Sequence, residues 1–140
     1  MSFKNISEIA GSAMAAQTVR LNTIASNLAN ADSVAGTETD TYRARKPVFA
    51  AVLNEASDFD HAVGGRVQVL DVVQSSEPLR KVFDPGHPMA NAEGMVFYPN
   101  VNQVAEMTDM MSASRAFETN VEVLGRIRTM QQSLLKLGEG

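Results

Sequence analysis

The chain has 140 residues, a mass of 15.1 kDa and a net charge of −4 at pH 7. This acidic balance argues against a non-specific nucleic-acid-binding protein, because such binding needs clustered Lys and Arg to neutralise phosphates. The absence of Cys excludes disulfides, thiolate chemistry and Cys-based zinc sites. No apolar run approaches 18 residues and the first residues lack a long apolar segment, so neither a membrane span nor a cleaved secretory signal is expected.

Residues 1–31 are predicted to form an N-terminal helix. Their apolar residues recur every three or four positions, which is the spacing of a helix that packs against other helices. We expect packing positions at Met14, Leu21, Ile24 and Leu28. The segment carries only three charges, so the helix lacks the charged outer face of a solitary surface helix and needs cover on more than one side. Other copies of the chain could supply that cover.

Residues 32–99 have a different composition, with five of the nine Gly and all five Pro. Strand-like runs occur at 42–49, 66–73 and 95–98, and the second run shifts its alternation after Val69, as a bulge would. Residues 32–41 are polar and turn-rich and predict a flexible loop. Residues 77–94 contain three Pro and are expected to be irregular. The region therefore predicts a small, loop-rich β insert.

Residues 100–140 return to helical spacing and predict a C-terminal helix. Its expected packing positions are Met110, Phe117, Val121 and Leu124. The predicted fold class is mainly α. Two long terminal helices pack as an antiparallel coiled coil, and the small loop-rich β insert lies between them.

The sequence offers few groups for chemistry. Asp84 and His87 could be two metal ligands or an acid–base pair, but no third ligand or nucleophile is evident nearby, so a Pro- and Gly-rich turn is favoured. His61 is likewise expected to lie in a loop. We expect no catalytic residue, cofactor or metal. Three functions stay open: a helical structural subunit, a stand-alone coiled-coil adaptor, and a small metal-binding or hydrolytic domain around Asp84 and His87.

Several segments resemble a known family. Residues 21–32 read Leu-Asn-Thr-Ile-Ala-Ser-Asn-Leu-Ala-Asn-Ala-Asp and resemble the N-terminal signature of bacterial flagellar rod and hook axial proteins. Residues 42–49 resemble the segment that follows this signature in the same family. Residues 84–88 with 98–102, and residues 111–123, resemble the proximal-rod members. The motif positions are Asn27, Leu28, Ala29, Asn30 and Tyr42. Many axial relatives have Thr-Pro-Gly-Tyr after the Asn-Leu-Ala-Asn run, whereas this chain has a longer insertion at 32–41.

The resemblance implies a structural subunit of the rod, the drive shaft that crosses the periplasm. It implies helical assembly with copies of itself and with other rod proteins, through terminal helices that form the axial core. It also implies export by the flagellar type III apparatus without a cleaved signal peptide. Related subunits present an aromatic and an aliphatic residue to the export gate, and Phe49 with Leu53 has that spacing. The alternative is that these two residues only pack within the middle region.

Overall fold

The computed structural model describes residues 2–53 and 65–138. Two helices and four strands follow one another along the chain: α1 (Phe3–Ala29), β1 (Arg45–Leu53), β2 (Gly65–Gln74), β3 (Arg80–Phe83), β4 (Met95–Tyr98) and α2 (Gln103–Gly138). Of the described residues, 50% are helical and 22% are in strand conformation. The loop expected at His61 lies outside the described residues.

The predicted fold class, a mainly α antiparallel coiled coil with a loop-rich insert, is wrong. The chain is a mixture of helices and sheet, with a helix at each terminus and two antiparallel two-stranded sheets, β1–β2 and β3–β4. The physical reason is that α1 packs against the β1–β2 hairpin as well as against α2. The hairpin therefore covers a side of α1 that a two-helix coiled coil would leave open.

The β1–β2 hairpin runs along α1. The strands are nine and ten residues long, and they pair from Arg45 with Gln74 to Leu53 with Gly65. The predicted bulge is confirmed: Val48 pairs with Asp71 and Phe49 with Val69, so Leu70 is the extra residue of β2. Such a bulge increases the local twist of a strand pair.

The second sheet contains a strand that the sequence did not predict. The expectation that residues 77–94 are irregular is wrong for β3, which pairs with β4 and places Val82 opposite the fully buried Val96. The chain reaches β4 through Gly94, whose φ of 74° lies in the left-handed region that favours glycine.

The segment 32–41 is held by contacts rather than being a free loop. Ala35 and Phe97 exchange two backbone hydrogen bonds of 3.1 and 2.9 Å, which attach the segment to the outer edge of β4. Asp40 and Thr37 form a local turn, and the Thr41 hydroxyl donates to the Thr37 carbonyl at 2.7 Å. The path of the chain from α1 to β1 is thus fixed.

The core is thin and is built largely from small side chains. Its buried apolar members within the helices are Ala10, Ala16, Ile24, Ala113 and Ile127. Each helix begins at a side-chain cap: the Ser2 hydroxyl accepts from the Lys4 N–H, and the Asn102 side chain accepts from the Ala105 N–H. No helix among the described residues is long and apolar enough to cross a membrane.

Candidate assembly interface

The helices α1 and α2 run in opposite directions against each other. The Gln103 side chain donates to Asp32 at 3.1 Å near one end, and the guanidinium of Arg20 forms an ion pair with Asp109 further along. Phe3 at the start of α1 shares a groove with Arg126 of α2. Since α2 has 36 residues and α1 has 27, α2 continues past the start of α1.

The predicted packing positions differ in burial. Ile24 is 2% exposed and belongs to the core. The half-buried positions are Met14, Leu21, Leu28, Met110, Phe117 and Leu124. Val121 is 45% exposed and lies on the outside of α2. The set therefore divides into residues that pack within the subunit and a residue that is free to contact a neighbour.

The motif residues Asn27 and Tyr42 meet in a polar cluster where α1 joins the hairpin. The Asn27 side chain is buried, accepts from the Arg45 N–H at 2.9 Å and donates to the Arg45 carbonyl at 2.8 Å. The Tyr42 hydroxyl donates to Asn27 at 2.9 Å and lies 3.0 Å from the Ser26 hydroxyl. Because Asn27 pairs with both backbone groups of one β1 residue, it fixes the position of the hairpin on α1.

The other motif residues lie at the end of α1. Asn30 is the C-cap, and its side chain donates to the Ser26 carbonyl at 2.8 Å. Leu28 is half-buried and Ala29 is exposed. The motif thus combines a helix end, a hairpin anchor and one position that faces outward.

The outward face of α1 is a narrow track without charge. The track, which we call the small-residue face, is exposed along its whole length and consists of Gly11, Ala15, Thr18, Asn22, Ala25 and Ala29. Its spacing of four and three residues keeps these positions on one side of the helix over about 27 Å. None of its side chains is larger than Asn, so another helix can approach closely.

The α2 surface carries the large apolar side chains. Val104, Met107 and Met111 are 74%, 56% and 58% exposed near its start. Near its end the stripe that contains the buried Ile127 continues through Met130 and Leu134, which are 49% and 55% exposed. We call these last two residues, with the 78% exposed Leu137, the distal seam. Burial falls along this stripe because α1 begins at Phe3 and offers nothing further to pack against.

A groove of about 940 Å³ opens where the distal seam begins. Phe3, Gly125, Met130 and Leu134 contribute to its walls. A Cβ added at Gly125 would meet nothing within 4 Å, so the groove floor has room for a neighbouring backbone or side chain.

Asp84 and His87, the candidate metal ligands or acid–base pair, lie in a turn at the surface. The His87 N–H donates to the Asp84 carbonyl at 3.1 Å, and His87 Nδ1 accepts from the Met89 N–H at 3.0 Å. Both contacts are local, as a Pro- and Gly-rich turn requires. In residues 2–53 and 65–138 no three His, Asp or Glu side chains are grouped so that they could hold a metal ion.

Comparisons with known proteins agree along the chain. Residues 8–36 match the family model "Flagella basal body rod protein", and residues 92–137 match "Flagellar basal body rod FlgEFG protein C-terminal". The chain is 48% identical to the flagellar basal-body rod protein FlgC of Escherichia coli O157:H7 over 139 residues, which cover 99% of this chain and 100% of that protein. FlgC of Salmonella typhimurium has the same identity and coverage. FlgC of Borreliella burgdorferi is 33% identical over 94% of this chain and 95% of its own length.

The chain belongs to the flagellar basal-body rod protein FlgC family. Membership confirms the predicted resemblance to flagellar rod and hook axial proteins. It also confirms that the chain is a structural protein of the flagellar rod, found in the basal body, and not an enzyme. The interpretations as an adaptor or as a hydrolytic domain are therefore set aside.

Two anchors of this FlgC-family chain escaped the sequence-based prediction. The Asn100 side chain accepts from the Ala44 N–H at 2.7 Å and donates to the Glu77 carbonyl at 2.9 Å. It therefore joins two segments that lie 56 and 23 residues before it in the chain. The Ser12 hydroxyl accepts from the Val67 N–H at 3.1 Å and attaches β2 to α1. A polar side chain that bonds to distant backbone leaves no periodic pattern in a sequence. Asn100 was therefore noted only as part of the family segment 98–102, and neither residue was predicted to be an anchor.

Proposed function

We propose that the chain assembles helically with other rod proteins, including copies of itself, and that the resulting shaft transmits torque across the periplasm. The contacts between subunits are made by the small-residue face of α1 and by the exposed apolar residues of α2. Within the subunit Met14, Leu21, Ile24, Leu28, Met110, Phe117 and Leu124 support these helices, while Val121 contacts a neighbour.

The observation that carries this proposal is the continuation of the α2 stripe beyond α1. Ile127 is 6% exposed where α1 covers it, and Leu134, about two turns further along, is 55% exposed. Apolar side chains at helical spacing gain about 1.5–3 kcal/mol each when they become fully buried. A second helix laid along the distal seam would extend the packing that α1 begins.

The small-residue face complements this seam. Large side chains on one helix and small ones on another interdigitate and bring the helix axes towards the lower end of the roughly 8–10 Å range. Closely packed interiors have low compressibility and transmit strain, which is what a rotating shaft needs.

The test is a charge placed on the distal seam. Leu134→Asp should leave the subunit folded, because this side chain is already exposed, but should abolish rod assembly and swimming. The matched control is Gln132→Asp, which places the same charge in the same exposed helical segment but on the opposite side of the helix from Leu134. If Leu134→Asp cells swim normally, the distal seam is not a subunit contact and this part of the proposal fails.

We also propose that the flagellar type III apparatus exports the chain without cleaving a signal peptide, and that Phe49 and Leu53 form its export signal. In the folded chain they are 39% and 65% exposed, and both lie on β1. Since they are only partly buried, packing does not account for both of them. Phe49→Ala should reduce secretion into the medium when secretion is scored apart from assembly. Secretion at the wild-type level would leave Phe49 with a packing role alone.

A further inference from the structure

At its start the outer edge of β1 is held by Asn27, which bonds to Arg45, but beyond Pro47 this edge presents backbone groups that bond to nothing among the described residues. The Val67 N–H donates to Ser12 of α1, so it points away from β1, and Val67 is paired with Ala51 in register. In an antiparallel ladder, opposite residues alternate between pairs that exchange hydrogen bonds and pairs that do not. Ala51 is therefore in a non-bonded pair. Its N–H and C=O, with those of Phe49 and Leu53, face away from β2.

The other sheet edges are covered or blunted. On β2 the Val67 N–H is held by Ser12, and the Val72 N–H is held by the Asp71 carboxylate at 2.7 Å. The outer edge of β4 pairs with Ala35. β3 is only four residues long and begins with Arg80 and Lys81. Short strands, charges and covering segments are the usual protection against unwanted strand pairing.

The edge of β1 has this protection only at its start. Arg45, Lys46 and Pro47 occupy the first three positions, whereas residues 48–53 read Val-Phe-Ala-Ala-Val-Leu without a charge or a Pro. Ala51 is exposed, and among the described elements only α1 and β2 pack on this strand. An uncharged edge of six residues without Pro, of which Val48, Phe49 and Val52 favour β structure, is a template for another strand.

We infer that β1 pairs edge to edge with β1 of a second copy of this chain, which forms a four-stranded antiparallel sheet across a two-fold axis. The backbone N–H and C=O groups of Phe49, Ala51 and Leu53 face outward. All of them form hydrogen bonds on both copies when the two-fold axis passes between the two Ala51 residues. Phe49 of each copy then pairs with Leu53 of the other. A small side chain, that of Ala51, lies at the axis. Since residues 48–53 carry no charge, the pairing brings no like charges opposite each other.

A second copy fits this edge better than a different surface of the same chain. A head-to-tail pairing would place β1 of one copy against the outer edge of β2 of another, and two N–H groups on that edge, those of Val67 and Val72, are already bonded to Ser12 and Asp71. A two-fold contact closes on itself and does not extend into a filament. The pairing therefore belongs to subunits outside the rod and is separate from the helix contacts proposed above.

Cross-linking tests the register directly, because the chain has no Cys of its own. In the full chain, Ala51→Cys places two thiols across the axis, and a short bismaleimide should convert most of the protein into covalent dimers. Gln68→Cys is the matched control, since Gln68 lies on β2 of the same hairpin and its backbone faces β1. Equal cross-linking of both variants, or none of Ala51→Cys, would overturn the inference.

Sedimentation of the unmodified chain supplies the second measurement. We expect a monomer–dimer equilibrium, and Ala51→Lys should raise the dimer dissociation constant about tenfold or more because two like charges then meet at the axis. Gln68→Lys should leave that constant unchanged, and circular dichroism checks that both variants are folded. A chain that stays monomeric at every concentration, or one that forms open-ended oligomers, would contradict the two-fold pairing.

Discussion

Replacing Asn27 tests the anchor between α1 and the hairpin. In Asn27→Ala the Arg45 N–H and C=O lose their partners at 2.9 and 2.8 Å, while Tyr42 keeps its contact with Ser26. Because Arg45 is an exposed residue, water can replace part of what its backbone groups lose, and each lost hydrogen bond costs about 0.5–1.5 kcal/mol. Ala is the better helix former by roughly 0.6 kcal/mol, which offsets part of this loss. We therefore expect the free energy of unfolding to fall by about 0.5–2.5 kcal/mol.

The assay is chemical denaturation of the isolated subunit followed by circular dichroism, with hydrogen exchange on β1 as a local probe. Asn22→Ala is the matched control, because Asn22 is an exposed residue of the same helix. Through helix propensity alone it should make the subunit more stable by about 0.6 kcal/mol. If the two variants are equally stable, and β1 exchanges at the wild-type rate in both, then Asn27 does not anchor the hairpin.

Three other substitutions have expected outcomes in thermal or chemical denaturation. Ala16→Leu should destabilise the subunit by about 1–3 kcal/mol because Ala16 is 2% exposed. Ala15→Leu, at an exposed position, should change the stability by no more than about 0.5 kcal/mol, and equal effects of the two substitutions would refute tight packing around Ala16. Gly94→Ala should cost about 1–3 kcal/mol, since its φ is 74° and an added Cβ would lie 2.9 Å from the Phe83 ring; wild-type stability would show that this turn relaxes freely. Arg20→Met should cost less than about 1 kcal/mol, because the pair with Asp109 is partly exposed, and the difference should shrink in high salt; a larger, salt-independent loss would contradict this.

The sequence predicted the parts of the fold that periodicity records. Three-to-four spacing indicated both helices, and the phase shift after Val69 indicated the bulge that the structure has at Leu70. The strand at 95–98 was predicted with the bounds that the structure has. These features depend on neighbouring residues in the chain, so a local pattern is sufficient to find them.

The errors come from contacts between distant segments. α1 carries one apolar seam that fits a coiled coil, but the hairpin packs on it through polar anchors, Asn27 and Ser12, which a hydrophobic pattern does not register. β3 was missed because its four residues lie between Pro78 and Pro85 and are stabilised by pairing with β4. Asn27 and Tyr42 were identified from the family motif, but their mutual hydrogen bond became evident only in the structure.

We expect neighbouring subunits to cover the outward faces of the helices in the basal body. A single Cys at Ala15, in the middle of the small-residue face, measures this directly because the chain is otherwise free of Cys. In the isolated subunit Ala15→Cys should react with a maleimide at the rate of an exposed thiol. In purified basal bodies from swimming cells the same thiol should be protected. Equal reaction rates in the subunit and in the basal body would contradict the claim.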